Sequence, residues 1–122
     1  RGLFDMDTLN AIHDKMHRAV LAAGGRIDAI YYCPHAVDAG CHCRKPATGM
    51  FERIAGCFNI DLPGMPTVGD SLRDLQAAAA VGALPLLVLT GKGTQTQIDG
   101  GLPEGTLVFA DLAAATDHIL LL

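Results

Sequence analysis

Cys33-Pro-His35-Ala-Val-Asp-Ala-Gly-Cys41-His-Cys43-Arg44-Lys45 gathers three thiols, two imidazoles and two cations into thirteen residues. In extended backbone, residues i and i+2 point to the same side, so Cys33 with His35, and Cys41 with Cys43, each make a two-pronged clamp. The five residues between the clamps let them face each other. Three thiolates and one neutral imidazole suit tetrahedral Zn2+, at about 2.3 Å to sulfur and about 2.0–2.1 Å to nitrogen. Four protein ligands leave no open coordination position, so a zinc held here is structural. His42 should point away from it, and is the alternative to His35 as fourth ligand. A disulfide framework is the rival reading, but no secretory leader is visible, and four cysteines in a largely apolar chain suit a reducing, cytoplasmic compartment. Cys57, within the helical pattern Phe51 to Phe58, is expected to be a small buried hydrophobe.

A second constellation lies at Val68-Gly69-Asp70-Ser71-Leu-Arg-Asp74. Read as strand, tight turn and helix start, it puts Asp70 at the carboxyl end of a parallel strand, where ligands of open α/β sheets bind. The carboxylate offers hard oxygen to a cation such as Mg2+, which takes a few carboxylates together with waters and substrate phosphate. Asp74 either orients that metal site or completes a capping box with Ser71. Arg44 and Lys45 directly follow the last thiol of the first cluster. Cations held still by a metal-tied loop can stabilise charge on a phosphoryl group, and the arginine fork can meet phosphate with two hydrogen bonds. The plain alternative is a solvated basic pair. Gly91-Lys92-Gly93 lacks the Gly-x-x-x-x-Gly-Lys-Ser/Thr pattern and reads as a turn rather than a nucleotide site.

The elements that must hold these residues alternate. Asp5 or Asp7 can cap a helix whose Leu9, Ile12, Met16 and Val20 repeat at helical spacing until Gly24-Gly25. A strand is predicted over Ile27–Tyr32. A second helix is predicted from about Gly49 to Phe58 with Thr48 as cap, then a strand at Met65–Val68. Ser71 and Asp74 open an alanine-rich helix that closes at Gly82. Leu86–Leu89 reads as a buried strand, Thr90–Gly105 as a long polar loop, Leu107–Phe109 as a last strand, and Asp111 as the cap of a terminal helix. Such alternation requires crossover connections, a parallel sheet and helices on both faces.

At 122 residues, half of them hydrophobic, one core and one domain over residues 1–122 are expected, with the zinc loop at 33–43. A net charge of −4 without a basic run argues against a nucleic-acid surface. No stretch approaches the roughly 20 apolar residues that span a bilayer, so no membrane partner is expected.

Taken together, Cys33-Pro-His35, Cys41-His-Cys43-Arg44-Lys45-Pro46 and Val68-Gly69-Asp70-Ser71-Leu-Arg-Asp74 resemble the haloacid dehalogenase superfamily of phosphatases. Within it they are most similar to the zinc-containing D,D-heptose 1,7-bisphosphate 7-phosphatases. The resemblance runs from Arg1 to about Gly93. It implies a three-layer, Rossmann-like parallel-sheet fold and a Mg2+-dependent phosphatase that acts on a small phosphorylated sugar and is monomeric when full length. It makes Lys45 the cation that steadies the transferring phosphoryl group, Arg44 a substrate contact and Asp70 a Mg2+ ligand. Ser71 takes a position that lends that ion a backbone carbonyl or a water-mediated contact. The implied reaction has two steps: an aspartate attacks the 7-phosphate, and water releases the aspartyl-phosphate. The histidinol-phosphate phosphatases share this architecture and are an alternative; a non-catalytic, zinc-stabilised binding module is another.

One departure matters. The family's nucleophile lies in an Asp-x-Asp-Gly motif ending the first strand, and the sequence has no such motif. Phe4-Asp5-Met6-Asp7-Thr8 imitates it without the glycine, but only Arg1-Gly-Leu-Phe precedes Asp5 and helical spacing begins at once after it. The expectation is therefore a chain equivalent to the carboxyl-terminal two-thirds of a phosphatase, incomplete at its N-terminus and inactive by itself.

Overall fold

The computed structural model describes residues 5–32, 40–41 and 45–122. They fall into two compact units, Arg1–Gly40 and Cys41–Leu122.

In the first unit, α1 runs over Met6–Ala22. The Asp5 carboxylate accepts the N–H of Thr8 at 2.7 Å, satisfying one of the unpaired donors at the helix start. That bond holds the Asp5 carboxyl below its ordinary value. Asp5 is thus a helix cap. The helix ends where Gly24 turns through φ +90° and the N–H of Gly25 donates to the Val20 carbonyl at 2.9 Å. Residues 27–32 are not a strand, contrary to expectation. Alternation supplies the right side chains, but a strand exists only through ladder pairing in a sheet, and the sheet among the described residues is built from three strands of the other unit. Residues 27–32 are anchored by side chains instead: Tyr32 lies 6.1 Å, centroid to centroid, from the His13 ring, and its hydroxyl donates to the Met6 sulfur at 3.5 Å.

The second unit holds the sheet. α2 (Gly49–Phe58) is followed by β1 (Pro66–Gly69), α3 (Leu72–Ala80), β2 (Leu84–Val88), α4 (Gly93–Asp99), β3 (Leu107–Phe109) and α5 (Leu112–Ile119). The strands are parallel, in the order β1-β2-β3, with Val68 beside Leu86 and Val88 beside Phe109. Central β2 is buried from Pro85 to Val88, as the middle strand of a parallel sheet covered on both faces must be. Leu86 and Val88 pack with Ala115 of α5, flanked by Leu84, Leu107, Phe109 and Ile119. Leu87, one residue out of phase, serves the opposite face. Two right-handed crossovers in the same direction put α3 and α4 there, and Leu75, Ala77 and Ala78 of α3 are fully buried. The layers are helices, sheet, helix.

Local chemistry explains the boundaries. α3 is rich in alanine, the best helix former, and ends at Gly82, φ +76°, with the N–H of Ala83 returning to the Ala78 carbonyl at 3.0 Å. Asp111 caps α5 through the N–H of Ala114 at 2.8 Å. Two expectations need correcting. The polar stretch after Thr90 contains α4, and Cys57 is exposed on α2 rather than buried. Neither α4 nor any other helix among the described residues is long and apolar enough to cross a membrane.

Candidate functional site

Both β1 and β2 run toward the same end of the sheet, and the polar residues gather there. β1 stops at Gly69, and the chain enters α3 through Asp70 and Ser71. The turn is tight enough that a Cβ on Gly69 would collide with the Cβ and carboxylate of Asp74. Asp74 uses that space. Its Oδ2 accepts the backbone N–H groups of Asp70 and Ser71, each at 3.2 Å, which closes the capping box and satisfies two donors at the helix start.

The other oxygen of Asp74 pairs with the Lys45 ammonium, 29 residues upstream. A single carboxylate therefore ties together a strand tip, a helix start and a cation. The Asp74 side chain is 16% exposed and that of Lys45 43%, so the acid is largely withdrawn from water while the base still reaches it. Burial pushes the Asp74 carboxyl up, but the hydrogen bond and charge of Lys45, helped by the donors of Ser71, outweigh it and hold the group below its ordinary value.

Asp70 is half-buried and is approached from the neighbouring strand. Its Oδ2 accepts the backbone N–H of Lys92 at 2.9 Å, and its backbone carbonyl accepts the Thr96 hydroxyl at 2.8 Å. Oδ1 accepts no hydrogen bond among the described residues. A carboxylate with one oxygen fixed by protein and the other open has the donor chemistry of a Mg2+ ligand, since that ion takes one or two carboxylates and fills its remaining positions with water and phosphate.

Lys45, Asp70 and Asp74 are joined here by consecutive hydrogen bonds. Ser71 lies beside them, but its carbonyl is taken up by the N–H groups of Asp74 and Leu75 at 3.1 and 3.3 Å. Arg44, and the proposed zinc ligands Cys33, His35 and Cys43, lie outside the described residues; Cys41 is described and half-buried. Gly91, the Lys92 backbone and Thr96 were missed by sequence reasoning. The clue available was the placement of Gly91-Lys92-Gly93 just past the end of β2, the same position that Gly69-Asp70 holds past β1.

The family model for HAD-hydrolase-like proteins matches residues 42–115. A D-glycero-β-D-manno-heptose-1,7-bisphosphate 7-phosphatase of Bordetella bronchiseptica is 61% identical over 98% of this chain and 67% of its own length. The enzyme of the same description from Pseudomonas aeruginosa is 48% identical over the same shares, 98% and 67%. A crystal structure of the D,D-heptose 1,7-bisphosphate phosphatase of B. bronchiseptica, complexed with magnesium and phosphate, superposes with a TM-score of 0.95 at 60% identity, over 99% of this chain and 68% of that one. The corresponding structure from Burkholderia thailandensis gives a TM-score of 0.78 at 54% identity, over 98% of this chain and 67% of that one. The chain thus spans about two thirds of the length of these relatives.

Proposed function

This chain belongs to the HAD-hydrolase-like family, and from that premise we propose that it forms the phosphate-positioning part of a Mg2+-dependent phosphatase. Its substrate is D-glycero-D-manno-heptose 1,7-bisphosphate, from which it removes the 7-phosphate on the way to the heptose of lipopolysaccharide. The observation that carries this reading is the linked set Lys45, Asp74 and Asp70 at the carboxyl end of a parallel sheet.

Each residue has a task that its surroundings support. Lys45 presents a fixed positive charge to the phosphoryl oxygens, and because Asp74 already orients it, little reorganisation is needed as charge develops. Asp74 is a positioning residue: it holds Lys45 with one oxygen and the backbone at Asp70 with the other. Asp70 supplies an open carboxylate oxygen to Mg2+. When bound, Mg2+ offsets the repulsion between an attacking carboxylate and the phosphate. The carbonyl of Ser71 is engaged within α3, so Ser71 is assigned a water-mediated contact. Arg44, next to Lys45 in sequence, is assigned to the substrate as a bidentate anion contact.

Cys33, His35, Cys41 and Cys43 are assigned to a structural Zn2+ that fixes the loop leading into Arg44 and Lys45. Thiolate ligands of that kind fit a reducing cytoplasm, and the full-length protein is taken to be a monomer. No Asp-x-Asp-Gly motif occurs in these residues, and the 122-residue chain by itself is assigned no turnover. The test is phosphate release from the heptose bisphosphate by full-length protein carrying these residues. Activity that requires Mg2+ and is lost in Lys45→Ala and in Asp70→Asn is expected. Undiminished activity in either variant would overturn the assignment.

A further inference from the structure

Thr96 is the one buried polar side chain among the described residues, 8% exposed. Its hydroxyl does not serve α4 alone: it lies 2.8 Å from the carbonyl of Asp70 and 3.0 Å from that of Lys92, in the preceding turn. One hydroxyl is therefore within hydrogen-bonding reach of both the turn after β1 and the turn after β2. The same turn gives Asp70 its second anchor, the Lys92 N–H on Oδ2 at 2.9 Å. Glycine is required twice to bring the turn this close. Gly91 sits at φ +57°, and a Cβ there would strike Asp70 Oδ2; one on Gly93 would overlap the Val88 carbonyl.

We propose that Gly91, the Lys92 backbone and Thr96 form a positioning unit that sets the metal affinity of Asp70, committing Oδ2 and the carbonyl to protein and leaving Oδ1 for Mg2+. An aspartate at the end of a strand otherwise has two side-chain torsions to lose when a cation binds. The unit fixes the carboxylate through the Lys92 N–H and the backbone that carries it through the Thr96 hydroxyl, from 22 and 26 positions away in sequence. This goes beyond the reading above but rests on its assignment of Asp70 to Mg2+.

The test uses Mn2+ as the probe, its binding to full-length protein followed by electron paramagnetic resonance without substrate, alongside the Mg2+ dependence of phosphate release. Thr96→Val removes the hydroxyl at nearly constant volume, and Mn2+ binding is expected to weaken by roughly tenfold, the cost typical of losing an outer partner of a metal ligand. Velocity at saturating Mg2+ should change much less. Thr96→Ser restores the hydroxyl and should restore the affinity. Gly91→Ala, whose new methyl meets Oδ2, should weaken binding at least as much, and it decides alone if Thr96→Val does not fold. Mn2+ affinity unchanged in Thr96→Val, or lost equally in Thr96→Ser, would overturn the proposal. Asp70→Asn separates the two levels: if it leaves Mn2+ binding intact, the metal assignment itself fails, whereas if it abolishes binding that Thr96→Val leaves alone, only the positioning unit fails.

Discussion

Replacing Asp74 separates its two jobs. In Asp74→Ala, the N–H groups of Asp70 and Ser71 lose their acceptor, a capping loss of about 0.5–2 kcal/mol. Lys45 loses its partner as well, but its side chain is 43% exposed and the ammonium can rehydrate, so that part is worth about 1 kcal/mol or less. The combined effect is about 2 kcal/mol, a fall in Tm of roughly 5–10 °C for a domain of this size. Asp74→Asn keeps an oxygen for the two N–H groups and forfeits only the ion pair, so its Tm should stay near the parent's. Activity should divide differently. Both variants release Lys45, and a displacement of about 1 Å in a positioned group costs on the order of a hundredfold. The assay is kcat/KM of full-length protein toward the heptose bisphosphate, measured beside thermal melts. If Asp74→Asn keeps the parent kcat/KM, Asp74 is only a helix cap and the positioning argument fails.

The lowered Asp74 carboxyl sets a pH dependence. Its pKa in the folded protein lies below the ordinary 3.8, so its contribution to stability is complete above that value and disappears as pH falls through the folded pKa; denaturant melts of parent and Asp74→Asn should converge at low pH. Gly69→Ala puts a methyl into the space of the Asp74 carboxylate and should cost about 1–3 kcal/mol, read as a lower midpoint in urea, together with reduced activity. For the cysteine loop, native mass spectrometry should find one zinc per chain, and removing it with a chelator should lower Tm; a metal-free protein of unchanged stability would remove zinc from the account.

Much of this was legible because helix ends carry local chemistry. Asp5, Asp111 and the Ser71–Asp74 box announce α1, α5 and α3 within three or four residues, and the structure places those helices where the caps require. Strands are less local. The buried strand read over Leu86–Leu89 is present, beginning two residues earlier and running over Leu84–Val88, because continuous burial leaves a run of apolar residues, whereas 27–32 has a strand's composition but lies outside the described sheet. α4 escaped notice because Gly93–Asp99 is short and polar, with Ile98 exposed instead of repeating at a core spacing. The site was half visible. Asp70 is singled out by its position and Lys45 by the resemblance, and the capping box foreshadows the bond from Asp70 to Asp74, but the bonds from Lys45 to Asp74 and from Lys92 and Thr96 to Asp70 span 22 to 29 residues and have no sequence signature.

The most direct measurement is a crystal structure of full-length protein with Mg2+ and phosphate. Mg2+ is expected on Asp70 Oδ1, with a phosphate oxygen within hydrogen-bonding distance of the Lys45 ammonium while that ammonium still rests on Asp74. Mg2+ bound away from Asp70, or Lys45 turned from the phosphate, would contradict these assignments.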